Sequence, residues 1–435
     1  MNTTVGNYLE QTGRLYKVQG SIHAKVSASI GELVRIRVSN GSLVPAEVIG
    51  FDDNRAQLMP MVSGFQFHEG DMVVASGRQM QIPVGKTLLG RVLDASGSPI
   101  DHKGHLKTNQ KVSLQFRPPT PMDRDAIVQP FETGIRAIDS MLSIGMGQRV
   151  GIFAGSGVGK STLLGNIARH AVSDVNVVAM VGERGREVKP FIESCLGPEG
   201  MRKSVVIVST SDESPLFRVR AVETAIAIAH WFRDQNLNVL LMMDSLTRFA
   251  SAQKELGLML GEPPTSRGFP PSVFQKMAGV LEQLGNSAGG SITGLITVLV
   301  DGDDMNEPVS DQARSILDGH IVLDRELAEK NHFPAIDILG SISRLAREIT
   351  TEEQRADVAT IRNTLALYRE VELLVQIGAY KRGNTPATDG AIDCVPMINQ
   401  FFQQESEKTP IADTTRLLSK LAEICRGKTR AGGVA

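Results

Sequence analysis

The sequence predicts an α/β protein made of a small antiparallel β-barrel, a doubly wound parallel sheet and a C-terminal helical part. Three successive patterns support this division: short alternating runs broken by turns, apolar strands alternating with helices, and finally helical periodicity alone. We place a short segment at 1–18, the barrel at 19–87, the doubly wound part at 88–347 and the helical part at 348–435. Within these, residues 88–130 are predicted as a linker with edge elements, because they are rich in glycine and proline.

The barrel prediction rests on alternation and on turn residues. Residues 33–38 and 46–51 form two β-like runs, and Asn40-Gly41 lies between them. Asn-Gly between such runs is typical of a β-hairpin, and several short runs at close spacing predict a barrel. The polar segment before the barrel carries a few apolar residues at helical spacing: Val5, Leu9 and Leu15.

Composition narrows the class of protein. Of the 435 residues, 41% are hydrophobic and 22% are charged, which is ordinary for a globular protein. A formal net charge of −2, one Trp and four Tyr argue against nucleic acid as a partner. The three cysteines are widely spaced and no secretory leader is recognisable, so we predict a cytoplasmic protein without a zinc site. No apolar run is long enough to span a membrane.

The central region alternates nearly continuous apolar runs with helical stretches. Such runs are typical of strands buried on both faces of a parallel sheet. The predicted strands are 150–153, 175–181, 205–208, 239–243 and 295–300. The predicted helices of this region are 220–234 and 272–284, and those of the C-terminal part are 354–377, 391–405 and 414–426.

A glycine-rich loop between the first of these strands and a helix predicts a phosphate site. Its pattern is G-x-x-x-x-G-K-[ST], except that Ala154 stands where the first glycine is expected, which a negative φ would tolerate. Backbone N–H groups and the helix N-terminus would bind phosphate oxygens, Lys160 would reach the β- and γ-phosphates, and the Ser161 hydroxyl would bind Mg²⁺. The predicted nucleotide-binding residues of the loop are Gly155, Ser156, Gly157, Val158, Gly159, Lys160, Ser161 and Thr162.

Asp244 is predicted as the second residue on the Mg²⁺ side. It follows the apolar run 239–243, and a carboxylate at the end of a buried strand is the usual companion of such a loop. An alternative interpretation is that Asp244 caps the helix that follows it.

Two glutamates could orient the attacking water. Glu183 lies directly after the strand 175–181, at the strand end that faces the ligand crevice of a parallel sheet. Glu187 is a second candidate by its chemistry. Sequence spacing does not distinguish between them.

Several motifs in one order resemble the rotary F-type and V-type ATPase subunits, over about residues 20–390. This resemblance implies a RecA-like core around the P-loop. The motifs outside the loop are 134–139, 182–184, 244–248 and 334–344. Further stretches at 261–264, 268–274 and 378–383 make the chain similar to the export ATPases of type III secretion systems, flagellar or injectisome. The loop looks more like that of flagellar members.

The resemblance implies roles for particular residues. It makes Glu183 the catalytic glutamate and Arg344 an arginine finger that enters the site of a neighbouring subunit. Arg184 belongs to the same motif as Glu183 and is counted among the nucleotide-binding residues. Phe333 matches the aromatic residue that stacks on adenine, although a buried core phenylalanine is the competing interpretation.

The resemblance also implies cofactors, partners and location. ATP or ADP and Mg²⁺ are the expected ligands. Because the glutamate and the finger lie on one chain, identical copies could form every site, which predicts a homohexamer. The expected partners are a stalk-like regulator, a central-stalk-like protein, complexes of export chaperones with their substrates, and a membrane export gate. The expected location is the cytoplasm, with peripheral attachment to the inner membrane at the export apparatus.

Two other functions share such an ATPase core. One is a catalytic subunit of an ion-translocating rotary ATPase, which usually has a longer C-terminal part or an insertion after the barrel. The other is a hexameric RNA translocase, which needs an RNA-binding barrel. Residues 20–85 contain only Phe51, Phe65 and Phe67 as aromatic residues, which disfavours RNA binding.

Overall fold

Six antiparallel strands near the N-terminus close into a barrel with the order β1-β2-β5-β4-β3-β6. The computed structural model describes residues 11–18, 22–62, 64–114, 118–287, 289–300, 302, 304–383 and 385–431. The barrel strands are β1 Thr12–Lys17, β2 Ile22–Lys25, β3 Glu32–Arg37, β4 Leu43–Asp52, β5 Arg55–Pro60 and β6 Met72–Gln79.

The β3–β4 hairpin shows why this sequence forms a barrel. Val34 and Ile36 are almost wholly buried, whereas Arg35 between them is exposed, so alternate side chains fill the interior. Gly41 turns the chain with a φ of +85°, a conformation that glycine adopts without strain. Val34 then pairs with Ala46 on β4. The predicted hairpin is therefore confirmed.

The boundary that we predicted at residue 18 is wrong, because β1 belongs to the barrel. Gly13 pairs with Val73 on β6, and Leu15 pairs with Ala24 on β2 and is 3% exposed. A barrel closes only when its first strand pairs on both edges. One inward leucine is too weak a signal to reveal such a strand. Val5 and Leu9, the other residues of the predicted helical spacing, lie outside the described residues.

The remaining strands form a nine-stranded sheet and two small ladders. The sheet order is β19-β18-β12-β17-β15-β13-β14-β8, with β16 paired to β17; β7 pairs with β9, and β10 with β11. The strands are β7 Gln81–Pro83, β8 Val92–Asp94, β9 Lys111–Ser113, β10 Pro130–Phe131, β11 Ile144–Gly145, β12 Arg149–Ala154, β13 Val175–Glu183, β14 Ser204–Thr210, β15 Asn238–Asp244, β16 Gly285–Ser287, β17 Gly290–Leu299, β18 Gly319–Leu323 and β19 Ile336–Ser343.

The sheet confirms the predicted fold class. All five predicted strands are present as β12, β13, β14, β15 and β17, and they run parallel to one another. The strand prediction missed β8 and β18, which extend the parallel part, and β16 and β19, which pair antiparallel. These strands are short or half exposed, so they lack the continuous apolar run of a central strand.

Helices cover the sheet and form the C-terminal part. They are α1 Arg136–Met141, α2 Lys160–His170, α3 Gly185–Pro190, α4 Gly197–Arg202, α5 Pro215–Arg233, α6 Leu246–Met259, α7 Pro271–Leu281, α8 Pro308–Ile316, α9 Arg325–Glu329, α10 Ala346–Ile349, α11 Glu352–Gln376, α12 Pro386–Phe402 and α13 Ile411–Ala431. A π-helical turn, Phe191–Leu196, joins α3 to α4, and short 3₁₀ turns lie at Lys86–Leu88, Pro121–Asp123 and Ser266–Gly268.

The last three long helices pack closely on one another. A Cβ atom at Gly390 of α12 would lie 2.7 Å from the Lys428 carbonyl oxygen of α13, so only glycine permits this approach. Asp357 of α11 accepts a hydrogen bond from Ser419 at 2.6 Å and pairs with Arg426. Among the described residues, no helix is long and apolar enough to cross a membrane.

The parallel strands bring distant parts of the chain to one edge of the sheet. Strand β12 ends at Ala154, β13 at Glu183 and β15 at Asp244. Met180 pairs with Asp244, and Ala154 pairs with Leu299 at the end of β17. Parallel strands end on the same side, so the loops that follow them share one crevice.

Candidate functional site

The glycine-rich loop joins β12 to α2 as the sequence predicted. Gly157 and Gly159 have φ values of +81° and +87°, which explains why the loop needs glycine at both positions. Ala154 is the last residue of β12, where the extended backbone tolerates its methyl group. Val158 is 3% exposed and anchors the loop in the core.

The start of α2 presents its backbone donors to solvent. Its N-cap residue, Gly159, supplies no capping side chain, so the first N–H groups of the helix are available to an anion. Ser161 and Thr162 in the first turn are exposed, as are Ser156 and Gly157 in the loop. The arrangement suits the phosphate groups of a nucleotide.

Lys160 and Asp244 meet at this edge of the sheet. The Lys160 Nζ lies 2.5 Å from Asp244 Oδ1, and the two side chains are 14% and 8% exposed. Thr297 on β17 donates a hydrogen bond of 2.8 Å to the same carboxylate oxygen. Asp244 is not a helix cap: Ser245 is the N-cap of α6 and accepts from the Arg248 N–H at 3.4 Å. The alternative interpretation of Asp244 is therefore wrong.

Glu183 lies beside this pair, and Glu187 does not. The Glu183 side chain is 9% exposed, with Oε1 3.5 Å from Arg248 Nε. Burial and then the charge of Asp244 raise the pKa of Glu183, and they outweigh Lys160 and Arg248, which lower it. Glu187 lies on α3 with a side chain that is 47% exposed. Only Glu183 combines burial with proximity to the loop lysine.

Arg184 is displaced from the cluster. It is the residue that precedes α3, its side chain is 62% exposed, and its guanidinium lies 3.6 Å from the Glu187 carboxylate. Arg184 and Glu187 thus form a surface ion pair beside the buried Glu183.

Arg248 lies beside Glu183, and we did not predict this contact from the sequence. A Cβ atom at Gly182 would lie 2.8 Å from Arg248 Cδ, so glycine at 182 leaves room for the arginine. The sequence did contain an indication of this contact: Arg248 follows Asp244 by four residues and lies on the first turn of α6. Thr297 was missed for another reason, because one threonine in an apolar strand has no distinctive pattern.

Phe333 lies against the loop and is not a core residue. Its side chain is 38% exposed, which excludes the interpretation as a buried phenylalanine. A Cβ atom at Gly159 would lie 3.2 Å from Phe333 Cε1, so the ring stands directly beside the start of α2. The Phe333 carbonyl accepts a hydrogen bond of 2.9 Å from the Gln404 N–H, which links this turn to the helical part.

Arg344 lies near the amino ends of the parallel strands, whereas the loop of its own chain follows the carboxyl end of β12. It follows β19, whose last residue pairs with Gly319, and Gly319 pairs with Val150 near the start of β12. The loop begins after Ala154, four strand residues or about 13 Å further along. Arg344 is exposed and donates from Nη2 to the Arg314 carbonyl at 2.9 Å. The structure does not bring Arg344 to Lys160 of the same chain.

Two protein-family models match parts of this chain. Residues 134–343 match the nucleotide-binding domain of the ATP synthase alpha/beta family, and residues 350–420 match the C-terminal domain of the T3SS EscN ATPase. The flagellum-specific ATP synthase of Bacillus subtilis is 48% identical over 389 residues, 89% of each chain. The type 3 secretion system ATPase of Xanthomonas euvesicatoria is 44% identical over 420 residues, 96% of this chain and 94% of the relative.

Solved structures extend the likeness to nearly the whole fold. The assembled ATPase EscN of the enteropathogenic E. coli type III secretion system has a TM-score of 0.89 at 44% identity, covering 94% of this chain and all of EscN. EscN in complex with its central stalk EscO has a TM-score of 0.87 at 43% identity, with the same coverage.

Proposed function

This chain belongs to the ATP synthase alpha/beta family, and we propose that it is an ATPase that powers a type III protein export apparatus. The observation that carries the proposal is the convergence of Lys160, Glu183 and Asp244 at the strand ends beside an uncapped helix N-terminus. These are the groups that phosphoryl transfer to water requires: a cation for the phosphates, a base for the water and a carboxylate for the metal. Hydrolysis would help to release chaperones, unfold export substrates and deliver them to the export gate.

In this proposal the loop holds the phosphates of ATP. The N–H groups of residues 155–162 bind the phosphate oxygens, and Lys160 places its ammonium against the β- and γ-phosphates. Phe333 stacks on the adenine base, which is supported by the position of its ring beside Gly159 and by its partial exposure. Arg184 is also proposed to bind the nucleotide, from the solvent side of the site, where its side chain is exposed.

The residues present fit Mg²⁺. The Ser161 side chain is exposed in the first turn of α2, and the Asp244 carboxylate lies 2.5 Å from Lys160 of the same turn. Mg²⁺ suits such a site because it keeps most of its ligands as water and phosphate. Ser161 and Asp244 would hold it from the protein side, and when bound it neutralises the charge that develops on the phosphates.

Glu183 is the proposed base. It accepts the proton of the attacking water while the water oxygen bonds to the γ-phosphorus and the bond to ADP breaks. No phosphoenzyme forms. A raised pKa supports this role, since a base works best when its pKa lies nearer the working pH.

Arg344 is proposed to complete the site of a neighbouring copy. Its position about 13 Å or more along the sheet from its own loop favours action between subunits. Its planar guanidinium can stabilise the spreading charge of the transition state. We therefore propose a homohexamer, which is supported by the likeness to assembled EscN.

A stalk protein is the proposed binding partner of the helical part. The end of α11 exposes three large apolar side chains: Leu373 at 68%, Leu374 at 44% and Ile377 at 66%. A cluster of this kind suits an apolar helix of a central-stalk-like protein. The complex of EscN with EscO supports this proposal by likeness. A stalk-like regulator, chaperone–substrate complexes and attachment at the cytoplasmic face of the inner membrane are proposed on family grounds.

The flagellar system is our preferred setting. Flagellar and injectisome relatives are similar to this chain at 48% and 44% identity, so identity alone does not discriminate between them. The preference rests on the glycine-rich form of the loop at 154–161. Restoring motility to a strain that lacks its flagellar export ATPase would support it, and restoring only injectisome secretion would contradict it.

The direct test of the function is ATP hydrolysis by the purified chain. We expect the chain to release phosphate from ATP only when Mg²⁺ is present. Its specific ATPase activity should rise with protein concentration as rings assemble. Light scattering with a non-hydrolysable ATP analogue should reveal the ring. A chain that binds ATP but never hydrolyses it, at any concentration, would refute the proposal.

A further inference from the structure

A buried hydroxyl next to the metal-side carboxylate has no role in the chemistry described so far. Thr297 lies on β17 and is fully buried. It pairs with Ile152 of β12, and its neighbour Ile296 pairs with Met243 of β15. The strand therefore stands between the strand that leads into the loop and the strand that ends in Asp244.

The Thr297 hydroxyl has two possible acceptors. Its Oγ1 lies 2.8 Å from Asp244 Oδ1 and 3.2 Å from the Met243 carbonyl oxygen. A hydroxyl has one proton to donate, and a hydrogen bond to a carboxylate is the shorter and stronger of the two kinds. Thr297 therefore donates to Asp244.

Two donors of different mobility hold the same carboxylate oxygen. Lys160 Nζ also lies on Asp244 Oδ1, at 2.5 Å. The lysine carries three protons on a flexible stem and can exchange partners. Thr297 cannot move away, because it is fixed in a central strand with no exposed surface. When Lys160 turns to a phosphate, Thr297 remains as the donor to Asp244.

We propose that Thr297 is a positioning residue for Asp244, whose hydroxyl keeps the carboxylate oriented for Mg²⁺ when Lys160 binds phosphate. This inference rests on the proposed function, because it requires Asp244 to act on the metal side. Second-sphere hydrogen bonds of this kind fix the orientation of a ligand and the affinity of the site for its metal.

The chain offers a matched control on the same strand. Thr293 lies four residues earlier on the same face of β17 and is also fully buried, but its Oγ1 accepts from the Gly147 N–H at 2.9 Å. Thr293→Val removes a buried hydroxyl with the same change of shape, away from Asp244. Thr297→Val, Thr297→Ser and Thr297→Ala complete the set.

The test is the Mg²⁺ dependence of equilibrium binding of a fluorescent ATP analogue, measured alongside hydrolysis. For Thr297→Val we expect the half-saturating Mg²⁺ concentration to rise about tenfold, the lower end of what losing such a contact costs metal affinity. Binding of the same analogue in EDTA should be unchanged. Thr297→Ser should restore the Mg²⁺ dependence, and Thr293→Val should match the unmodified protein.

The outcomes separate this inference from the proposed function. If Thr297→Val and Thr293→Val have the same Mg²⁺ dependence, Thr297 is a structural hydroxyl and the inference is wrong. Equal loss of binding with Mg²⁺ and in EDTA would also overturn it. If the unmodified protein shows no effect of Mg²⁺ on binding or hydrolysis, the proposed function itself fails. Thr297→Ala, which is smaller, serves the same comparison should the valine variant not fold.

Discussion

Lys160 and Asp244 form an ion pair of 2.5 Å between the first turn of α2 and the end of β15. Eighty-four positions separate the two residues in the chain, and the parallel sheet brings them together. Both side chains are mostly buried, so each charge depends on the other for compensation. The pair links the phosphate side of the site to its metal side.

Lys160→Ala should weaken nucleotide binding itself. Loss of a hydrogen bond from a charged donor costs about 1.5 to 3 kcal/mol, or roughly ten- to 150-fold in Kd. The change also leaves Asp244 without its cation, so thermal stability should fall. Fluorescent-nucleotide titration and differential scanning fluorimetry measure the two effects. Lys189→Ala is the control, because the Lys189 side chain is 80% exposed and pairs with Glu193.

Glu183→Gln should bind ATP and hydrolyse it poorly. The amide keeps the shape of the side chain but cannot accept the proton of water, and a positioned base contributes about a hundred- to ten-thousandfold to rate. Phosphate release under single-turnover conditions is the measurement. Glu187→Gln, at the exposed neighbouring position, should keep nearly full activity. Comparable losses in both variants would remove the distinction between the two glutamates.

Stability and activity should both depend on the ionisation of Glu183. Its pKa is raised in the fold, so the protonated side chain favours folding below the unfolded pKa, and that contribution is lost as pH rises through the folded pKa. At about pH 8, Glu183→Gln should therefore raise Tm. Near pH 4.5, the ordinary pKa of a glutamate, the advantage should disappear because the unmodified side chain is then largely protonated. In the unmodified protein, the acid limb of kcat should lie above that value. A constant Tm difference across this range would contradict the prediction.

Arg344→Ala should bind nucleotide normally and turn over slowly, and a partner variant should rescue it. In equimolar mixtures with Glu183→Gln, random assembly pairs an intact glutamate with an intact neighbouring arginine at about a quarter of the sites. Some activity should therefore return on mixing. Arg347→Ala, an exposed arginine three residues further on, is the control. Absence of rescue in rings shown to contain both variants would favour action within one subunit.

Phe333→Ala should weaken ATP binding through loss of the base contact. Stacking of a base on an aromatic side chain is worth about 1 to 3 kcal/mol, or roughly five- to 150-fold in Kd. Phe333→Tyr should preserve binding. Tripolyphosphate, which has no base, should compete equally well for the alanine variant and the unmodified protein. A matching loss of tripolyphosphate affinity would instead indicate that the ring supports the loop at Gly159.

Several parts of the site were predictable because local sequence carries their signal. The loop at 154–161 needs glycine where φ is positive, and Gly157 and Gly159 meet that need. Asp244 was predictable because the continuous apolar run of β15 marks a buried strand that ends at it. The predicted boundary of the barrel was wrong at β1, because Leu15 is the single side chain of this strand that is buried in the barrel core. An edge contact of that kind is long-range and leaves no local pattern.

The sequence by itself determined the fold class, the loop and the identity of the residues that could carry the chemistry. Glycine positions indicate where the backbone must adopt a positive φ, and continuous apolar runs indicate buried strands. Sequence spacing left Glu183 and Glu187 undistinguished, and the tertiary structure gives the physical difference by burying one and exposing the other. The tertiary structure also showed that Thr297 donates a hydrogen bond to Asp244. It placed Arg344 at the end of the strands opposite to the loop. Such relations depend on which strands lie side by side, and strand order is a property of the assembled sheet.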